Sequence, residues 1–106
     1  MEKALKEKAL AYMSRAEYYL GERRFEMAYN AYMDALYTMG AYQVYLDTGL
    51  LMPVAEMMGI LESRHPKIHE VIVRYSQLTS FDEGTINAMR KDVKRLRDAM
   101  FPTVGE

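Results

Sequence analysis

Two histidines lie close together in the segment RHPKIHE and are the side chains of this sequence best suited to acid–base chemistry. An imidazole titrates near neutral pH, so a positioned histidine can transfer a proton. Arg64 precedes His69 with four residues between them, and a guanidinium group holds phosphate through paired hydrogen bonds. An arginine that anchors phosphate and a histidine that moves a proton would suit RNA cleavage. The alternative interpretation of this segment is a solvated surface turn.

The same two histidines have the spacing of metal ligands on one helical face, since His65 and His69 are four positions apart. Pro66 lies between them, however, and proline disfavours helical geometry in the residue before it. No zincin glutamate lies between the two histidines, and no third ligand follows at a recognisable spacing. The chain has no cysteine, which excludes disulfides, thiolate catalysis and thiolate metal sites. We therefore expect neither a metal nor a cofactor.

A cluster of five cations in the segment RKDVKRLR, with Asp92 as its one acid, lies near the carboxyl end of the chain. A line of such charges would bind the phosphates of a nucleic acid. The alternative is a solvated helix face whose cations complement the negative end of the helix dipole. The net charge of −1 for the whole chain gives no general attraction for nucleic acid or for an anionic membrane. The five cations are Arg90, Lys91, Lys94, Arg95 and Arg97.

Tyrosine is concentrated in the first half of the chain, where eight of the nine tyrosines lie between Tyr12 and Tyr45. One helical face cannot bury them all, and tyrosine is enriched at interfaces because its ring is apolar while its hydroxyl can face water. Ten methionines add adaptable contact surface. The alternatives are a Tyr/Met-rich core and a face that binds a partner. We favour the second, with its contacts at Tyr18, Tyr29, Tyr37 and Tyr45.

Apolar residues recur three and four positions apart along most of the chain, which predicts α-helices and no strands. A first helix should end at Gly21 and a second at Gly49, since glycine adopts the left-handed conformation that closes a helix. Ser80 and Glu83 have the spacing of a capping box before the last helix. The prediction is an all-α, up-and-down bundle of four main helices, with the third region kinked or split near Pro66.

The second predicted helix has an apolar stripe that runs from Phe25 to Leu46. Gly40 lies inside it, and a glycine in a helix interior costs up to about 1 kcal/mol relative to alanine. Gly40 therefore marks either a kink or a place where another backbone comes close.

At 106 residues the chain is expected to form one domain. We assign residues 1–101 to the helical bundle and residues 102–106 to a frayed tail. No apolar run approaches the roughly 20 residues that span a bilayer. Lys6 and Lys8 interrupt the first apolar stretch, so no signal peptide is expected either. The expectation is a cytoplasmic protein without a membrane segment.

The first predicted hairpin resembles a tetratricopeptide unit in its pattern of large and small residues. Arg23 stands where that repeat usually has glycine. Similar packing occurs in MIT domains and in a small archaeal helical family of unknown function. The resemblance implies two closely packed antiparallel helices. The residues that carry it are Tyr12, Ala16, Tyr19, Phe25, Ala28, Tyr32, Ala35 and Leu36.

The whole chain resembles a HEPN domain in its order of two long helices, a middle region and a final amphipathic helix, with the alanine/tyrosine pattern AYNAYMDAL in the early pair. The resemblance implies a dimer with four or five helices per chain and, in active members, RNA cleavage or nucleotide binding at the interface. Arg64 and His69 match the family's motif of arginine, four to six residues, then histidine. His65 follows the arginine where asparagine is typical. Many relatives lack the motif and act as scaffolds or antitoxin-like partners.

We expect a non-enzymatic interaction or assembly module that works as a homodimer, or docks another protein, through the Tyr/Met-rich face. A second hypothesis is a HEPN-like ribonuclease or nucleotide-binding domain, in which Arg64 anchors phosphate and His69 is the general acid/base. A third is binding of a nucleic-acid backbone by the basic last helix.

Overall fold

The computed structural model describes residues 1–102, and within this range the protein is all-helical, as predicted. These described residues form five helices instead of four main ones, because the third region is split in two. Residues 103–106, most of the tail that we predicted to fray, lie outside the described residues. The helices are α1 (Glu2–Gly21), α2 (Phe25–Thr48), α3 (Val54–Arg64), α4 (Pro66–Ser76) and α5 (Glu83–Met100).

Helix α2 is central to the fold and contacts each of the other four helices. Its 24 residues extend for about 36 Å, long enough to reach all of them. The short connection at residues 22–24 turns the chain back, so α1 packs along α2 as a neighbour. The described part of the molecule is flat, with extents of 38 × 35 × 19 Å. It is therefore about two helix layers thick.

Alanine allows α1 and α2 to approach closely. Ala9 and Ala16 of α1 and Ala28 and Ala35 of α2 are all fully buried. Small side chains at a helix–helix contact shorten the distance between the axes, and the larger side chains around them fill the remaining space. The close packing of this pair follows from where the alanines stand in the sequence.

The connection between α1 and α2 has its left-handed residue at Arg23, where φ is 58°, and not at Gly21. α1 does end at Gly21, but our expectation that this glycine supplies the turn is wrong. The left-handed conformation raises the free energy of a residue with a Cβ atom by about 1–2 kcal/mol. The Arg23 guanidinium lies 3.3 Å from Glu83 and 5.3 Å from the centre of the Phe25 ring. The second glycine prediction is confirmed, since Gly49 ends α2 with φ 74°.

Helices α3 and α4 meet at His65, whose φ of −135° and ψ of 64° cannot continue a helix. Pro66 is the first residue of α4, a position where the missing N–H of proline has no helical partner to lose. The clash of the proline ring with the preceding residue explains why the break falls at His65. The predicted split near Pro66 is confirmed.

Helix α5 is capped by Asp82 and not by Ser80. The Asp82 Oδ1 atom accepts a hydrogen bond from the backbone N–H of Thr85 at 2.8 Å. This hydrogen bond lowers the pKa of the Asp82 carboxyl group. The predicted capping box of Ser80 and Glu83 is wrong because the helix begins later, at Glu83 itself.

Gly40 provides a notch in α2 that side chains of α3 fill. A Cβ atom added at Gly40 would lie 2.8 Å from Leu61 Cδ1 and 3.4 Å from Met57 Cε. Leu61 is fully buried, so it has little freedom to move away. We predicted either a kink at Gly40 or the close approach of another backbone. The structure shows a close approach, but by side chains and not by a backbone.

Candidate functional site

A cleft opens where α2, the α3–α4 junction and the carboxyl end of α5 meet. Its volume is about 330 Å³, at the small end of the range for ligand pockets. Its walls are largely apolar, and the polar groups come from α2 and from the α3–α4 junction. The lining residues are Gln43, Arg64, His65, Pro66, Lys67, Ile68, Leu96, Ala99 and Met100.

His65 is fixed in the wall of this cleft by a hydrogen bond to Asp47. The Nε2 atom of His65 lies 2.7 Å from Asp47 Oδ2, and both side chains are 24% exposed. A carboxylate on one ring nitrogen sets the orientation and the tautomer of an imidazole. The contact also joins the end of α2 to the α3–α4 junction.

The structure places Arg64 and His69 on different helices. Arg64 is the last residue of α3 and lines the cleft, whereas His69 lies in the first turn of α4 and is half-buried. Within residues 1–102 the histidine that lines the cleft beside Arg64 is His65, and His69 is not part of the lining. Sequence reasoning missed Asp47, which is 18 positions from His65, because no local spacing links the two residues.

Two cations of the cleft lack, among the described residues, the carboxylate partner that most arginines of the protein have. Within residues 1–102, Arg64 and Lys67 form no ion pair and no side-chain hydrogen bond. The Gln43 amide, in the same part of the chain, likewise has no side-chain hydrogen bond. Arg23, by contrast, contacts a carboxylate. The cleft therefore has three hydrogen-bonding groups that the described residues leave unused.

Three of the five cations predicted to form a basic surface on α5 are paired with acids. Each pair offsets one positive charge, so this face offers phosphates fewer free cations than the sequence suggests. Lys91 and Lys94 form no ion pair within the part of the chain that the structure describes. The pairs are Arg90–Glu17, Arg95–Asp92 and Arg97–Asp98, at 2.7, 3.1 and 2.9 Å.

Arg90 belongs to a network that joins α1, α2 and α5. Glu17 accepts hydrogen bonds from Arg90 Nε at 2.7 and 3.0 Å, and another from the hydroxyl of the fully buried Tyr32. Burial and the Glu17 carboxylate both raise the pKa of Tyr32. Burial also acts to raise the pKa of Glu17, but the hydrogen bonds from Arg90 and Tyr32 outweigh it, and the pKa is lowered. The network holds helices together.

Tyr29 and Tyr37, two of the tyrosines predicted to contact a partner, are engaged inside the fold. The Tyr29 hydroxyl donates a hydrogen bond to the backbone carbonyl of Tyr75 at 2.8 Å, and its ring packs against Phe81 with centroids 4.7 Å apart. Tyr37 is half-buried and packs against the core. Part of each ring is therefore already used inside the fold.

The other two predicted contacts, Tyr18 and Tyr45, lie on different helices and are exposed to different degrees. Tyr18 near the end of α1 is 63% exposed, and Tyr45 near the end of α2 is half-buried. Met27, which like Tyr18 lies within one helical turn of the α1–α2 connection, and Leu46, next to Tyr45 in the sequence, are 19 residues apart on α2. That spacing corresponds to roughly 28 Å along the helix. The predicted tyrosine face is therefore not one continuous surface.

The most concentrated exposed apolar surface is at the connection between α2 and α3. Four of the seven large apolar side chains that residues 1–102 leave exposed fall within this stretch, and each is 47–61% exposed. Single exposed leucines are ordinary, but a cluster of them marks an interaction site more often. We call Leu46, Leu50, Leu51 and Val54 the α2–α3 patch. Sequence reasoning missed it, because Leu46 follows the rhythm of a buried stripe.

The part of the chain that the structure describes contains no group of three histidine, aspartate or glutamate side chains that could hold a metal ion. None of the five helices described combines the length and the hydrophobicity needed to cross a membrane. Comparison of the chain with family models, with curated proteins and with solved structures finds no match. The resemblances to HEPN domains and to the tetratricopeptide and MIT units remain predictions.

Proposed function

We propose that the protein is a non-enzymatic interaction module that forms a homodimer through the α2–α3 patch. The observation that carries this proposal is the exposure of four aliphatic side chains within residues 46–54. Removing apolar surface from water is favourable by about 25 cal/mol per Å², so covering the patch would stabilise an assembly. In a dimer with two-fold symmetry, the same patch on each chain faces its copy.

The charge pattern of the patch favours a second copy of the chain over a different partner. Residues 45–55 contain a single charged residue, Asp47, and its carboxylate contacts His65. An interface without free charge needs no complementary charge on the other side, and an apolar surface is complementary to itself. Tyr45 would lie at the edge of such an interface, where a half-buried tyrosine ring adds contact area.

The proposal is tested by removing apolar side chains from the patch without adding charge. The double variant Leu50→Gln/Leu51→Gln should weaken self-association at least tenfold in sedimentation equilibrium. The matched control is Tyr18→Gln/Met27→Gln, which changes exposed apolar side chains near the α1–α2 turn and should leave the association constant unchanged. Equal effects of the two double variants would contradict the proposed location. Circular dichroism of each variant shows that its helices are retained.

The ribonuclease hypothesis draws less support from the geometry, because Arg64 and His69 lie on separate helices with a break between them. Its test is cleavage of a labelled single-stranded RNA by the wild-type protein and by His69→Ala. If the wild type cleaves the RNA and His69→Ala does not, the nuclease is favoured over the interaction module.

Binding of nucleic acid by α5 has to rely mainly on Lys91 and Lys94, since its three arginines are paired. With so few free cations, the affinity for RNA should be low and should change little with salt. A steep salt dependence that Lys91→Gln/Lys94→Gln removes would favour this function instead.

A further inference from the structure

We propose that the cleft between α2, the α3–α4 junction and α5 binds a small anionic amphiphile, a molecule with an apolar chain that ends in a carboxylate or a phosphate. The cleft is distinct from the α2–α3 patch, and no residue of the patch lines it. Ligand binding and self-association can therefore be tested separately.

The apolar walls of the cleft suit the chain of such a molecule. Ile68 of α4 lines the cleft together with Leu96, Ala99 and Met100 from the last turns of α5. Water against this apolar wall finds few hydrogen-bonding partners, so an apolar chain that displaces it there gains free energy. A volume of about 330 Å³ suits a small molecule with one short chain.

The polar residues of the cleft suit the anionic end. Arg64 and Lys67 come from opposite sides of the α3–α4 junction, and neither is paired with an acid within residues 1–102. None of the nine described residues that line the cleft is acidic. The Gln43 amide offers a further donor. An arginine and a lysine together bind carboxylate or phosphate through charge-assisted hydrogen bonds.

The junction itself adds to the positive potential. Pro66, Lys67 and Ile68 form the first turn of α4, and all three line the cleft. The first backbone N–H groups of a helix have no partner within the helix, and the dipole there is positive. The Nε2 atom of His65 is engaged by Asp47, so the anion has to be held by the other groups of the cleft.

Isothermal titration calorimetry with octanoate, octyl phosphate and octanol tests the proposal, with the two anions kept below their micelle concentrations. We expect saturable binding of one anion per chain. Whichever of octanoate and octyl phosphate binds more tightly identifies the head group. Lys67→Gln and Arg64→Gln should each lower the affinity at least about tenfold, the loss typical of one charge-assisted hydrogen bond. The matched control Lys91→Gln, an exposed lysine of α5 outside the cleft, should leave the affinity unchanged.

A second variant and a second measurement test the location. Ala99→Phe, an exposed position in the last turns of α5, should fill the apolar part of the cleft and abolish binding. In the wild-type protein, octanoate should shift the NMR signals of Ile68 and Ala99 but not that of the exposed Ala11 on α1. The proposal is overturned if neither anion binds saturably, if octanol binds as tightly as the anions, or if Ala11 shifts as much as Ala99.

Discussion

The Nε2 atom of His65 lies 2.7 Å from Oδ2 of Asp47, and this contact closes a segment of the chain that contains all of α3 and most of the α2–α3 patch. The two residues are 18 positions apart, with Leu50, Leu51 and Val54 between them. An interface that is already ordered before association loses less conformational entropy when it forms. We therefore expect His65 to order the connection between α2 and α3, which carries the proposed interaction surface.

Replacing His65 with alanine should loosen the α2–α3 connection. Without the imidazole, the end of α2 loses its link to the α3–α4 junction, and we expect a loss of stability of about 0.5–1.5 kcal/mol, the usual net value of one hydrogen bond. Hydrogen exchange of the amides in residues 49–56 should accelerate, and self-association should weaken. His69→Ala is the control, and unchanged exchange in the His65 variant would show that Asp47 and His65 do not order the connection.

Gly40→Ala should destabilise the protein even though alanine is the better helix former. The gain in helix propensity is at most about 1 kcal/mol, whereas overpacking a core typically costs about 1–3 kcal/mol. The new Cβ atom would lie 2.8 Å from Leu61 Cδ1. In a Leu61→Ala background that atom is absent, and the same substitution should become stabilising. Urea unfolding of the four proteins in this double-mutant cycle measures the difference, and additive effects would show that Leu61 is not the obstacle.

Arg23→Gly should give a more stable protein than Arg23→Ala, by about 1 kcal/mol. Both variants lose the contact with Glu83 at 3.3 Å, so the comparison isolates the backbone conformation at φ 58°. Only alanine retains a Cβ atom in the left-handed region. Thermal unfolding of the pair measures the difference, and equal stabilities would mean that residue 23 does not hold this conformation in solution.

The Glu17 network should make stability depend on pH in the acidic range. The folded-state pKa of Glu17 is lowered from its ordinary value of 4.5, so the unfolded chain takes up the proton first as the pH falls. The stabilisation is present above the unfolded pKa and is lost as the pH falls through the lower folded-state value. The difference in unfolding free energy between wild type and Glu17→Gln should therefore shrink when the pH is lowered from 6 to 3. Glu7→Gln, at an exposed position of the same helix, is the control. If the difference in unfolding free energy between wild type and Glu17→Gln stays constant from pH 6 to pH 3, this explanation is wrong.

Local rules account for the helices that the sequence predicts correctly. Gly49 and Pro66 act within one or two residues of themselves, through the left-handed conformation and through the clash of the proline ring. The mistakes also concern choices between neighbouring residues. The sequence pattern favours Ser80 as the cap, whereas the structure uses Asp82. The pattern favours Gly21 as the left-handed residue after α1, whereas the structure uses Arg23, two positions later.

The surfaces were harder to predict, because they depend on which helices pack together. Leu46 has the spacing of a buried residue, yet it is 47% exposed. Tyr29 has the spacing of an exposed one, yet its hydroxyl reaches the backbone of Tyr75, 46 positions away. The contact of His65 with Asp47 is likewise tertiary. Helical periodicity describes one helix at a time and contains no information about such pairs.

The most direct test of the proposed homodimer is the molar mass in solution, measured by light scattering after size exclusion over a tenfold range of concentration. We predict a mass that approaches twice the 12.3 kDa of one chain as the concentration rises. The Leu50→Gln/Leu51→Gln variant should remain at the mass of a single chain over the same range. A wild-type protein that stays at 12.3 kDa throughout would contradict self-association.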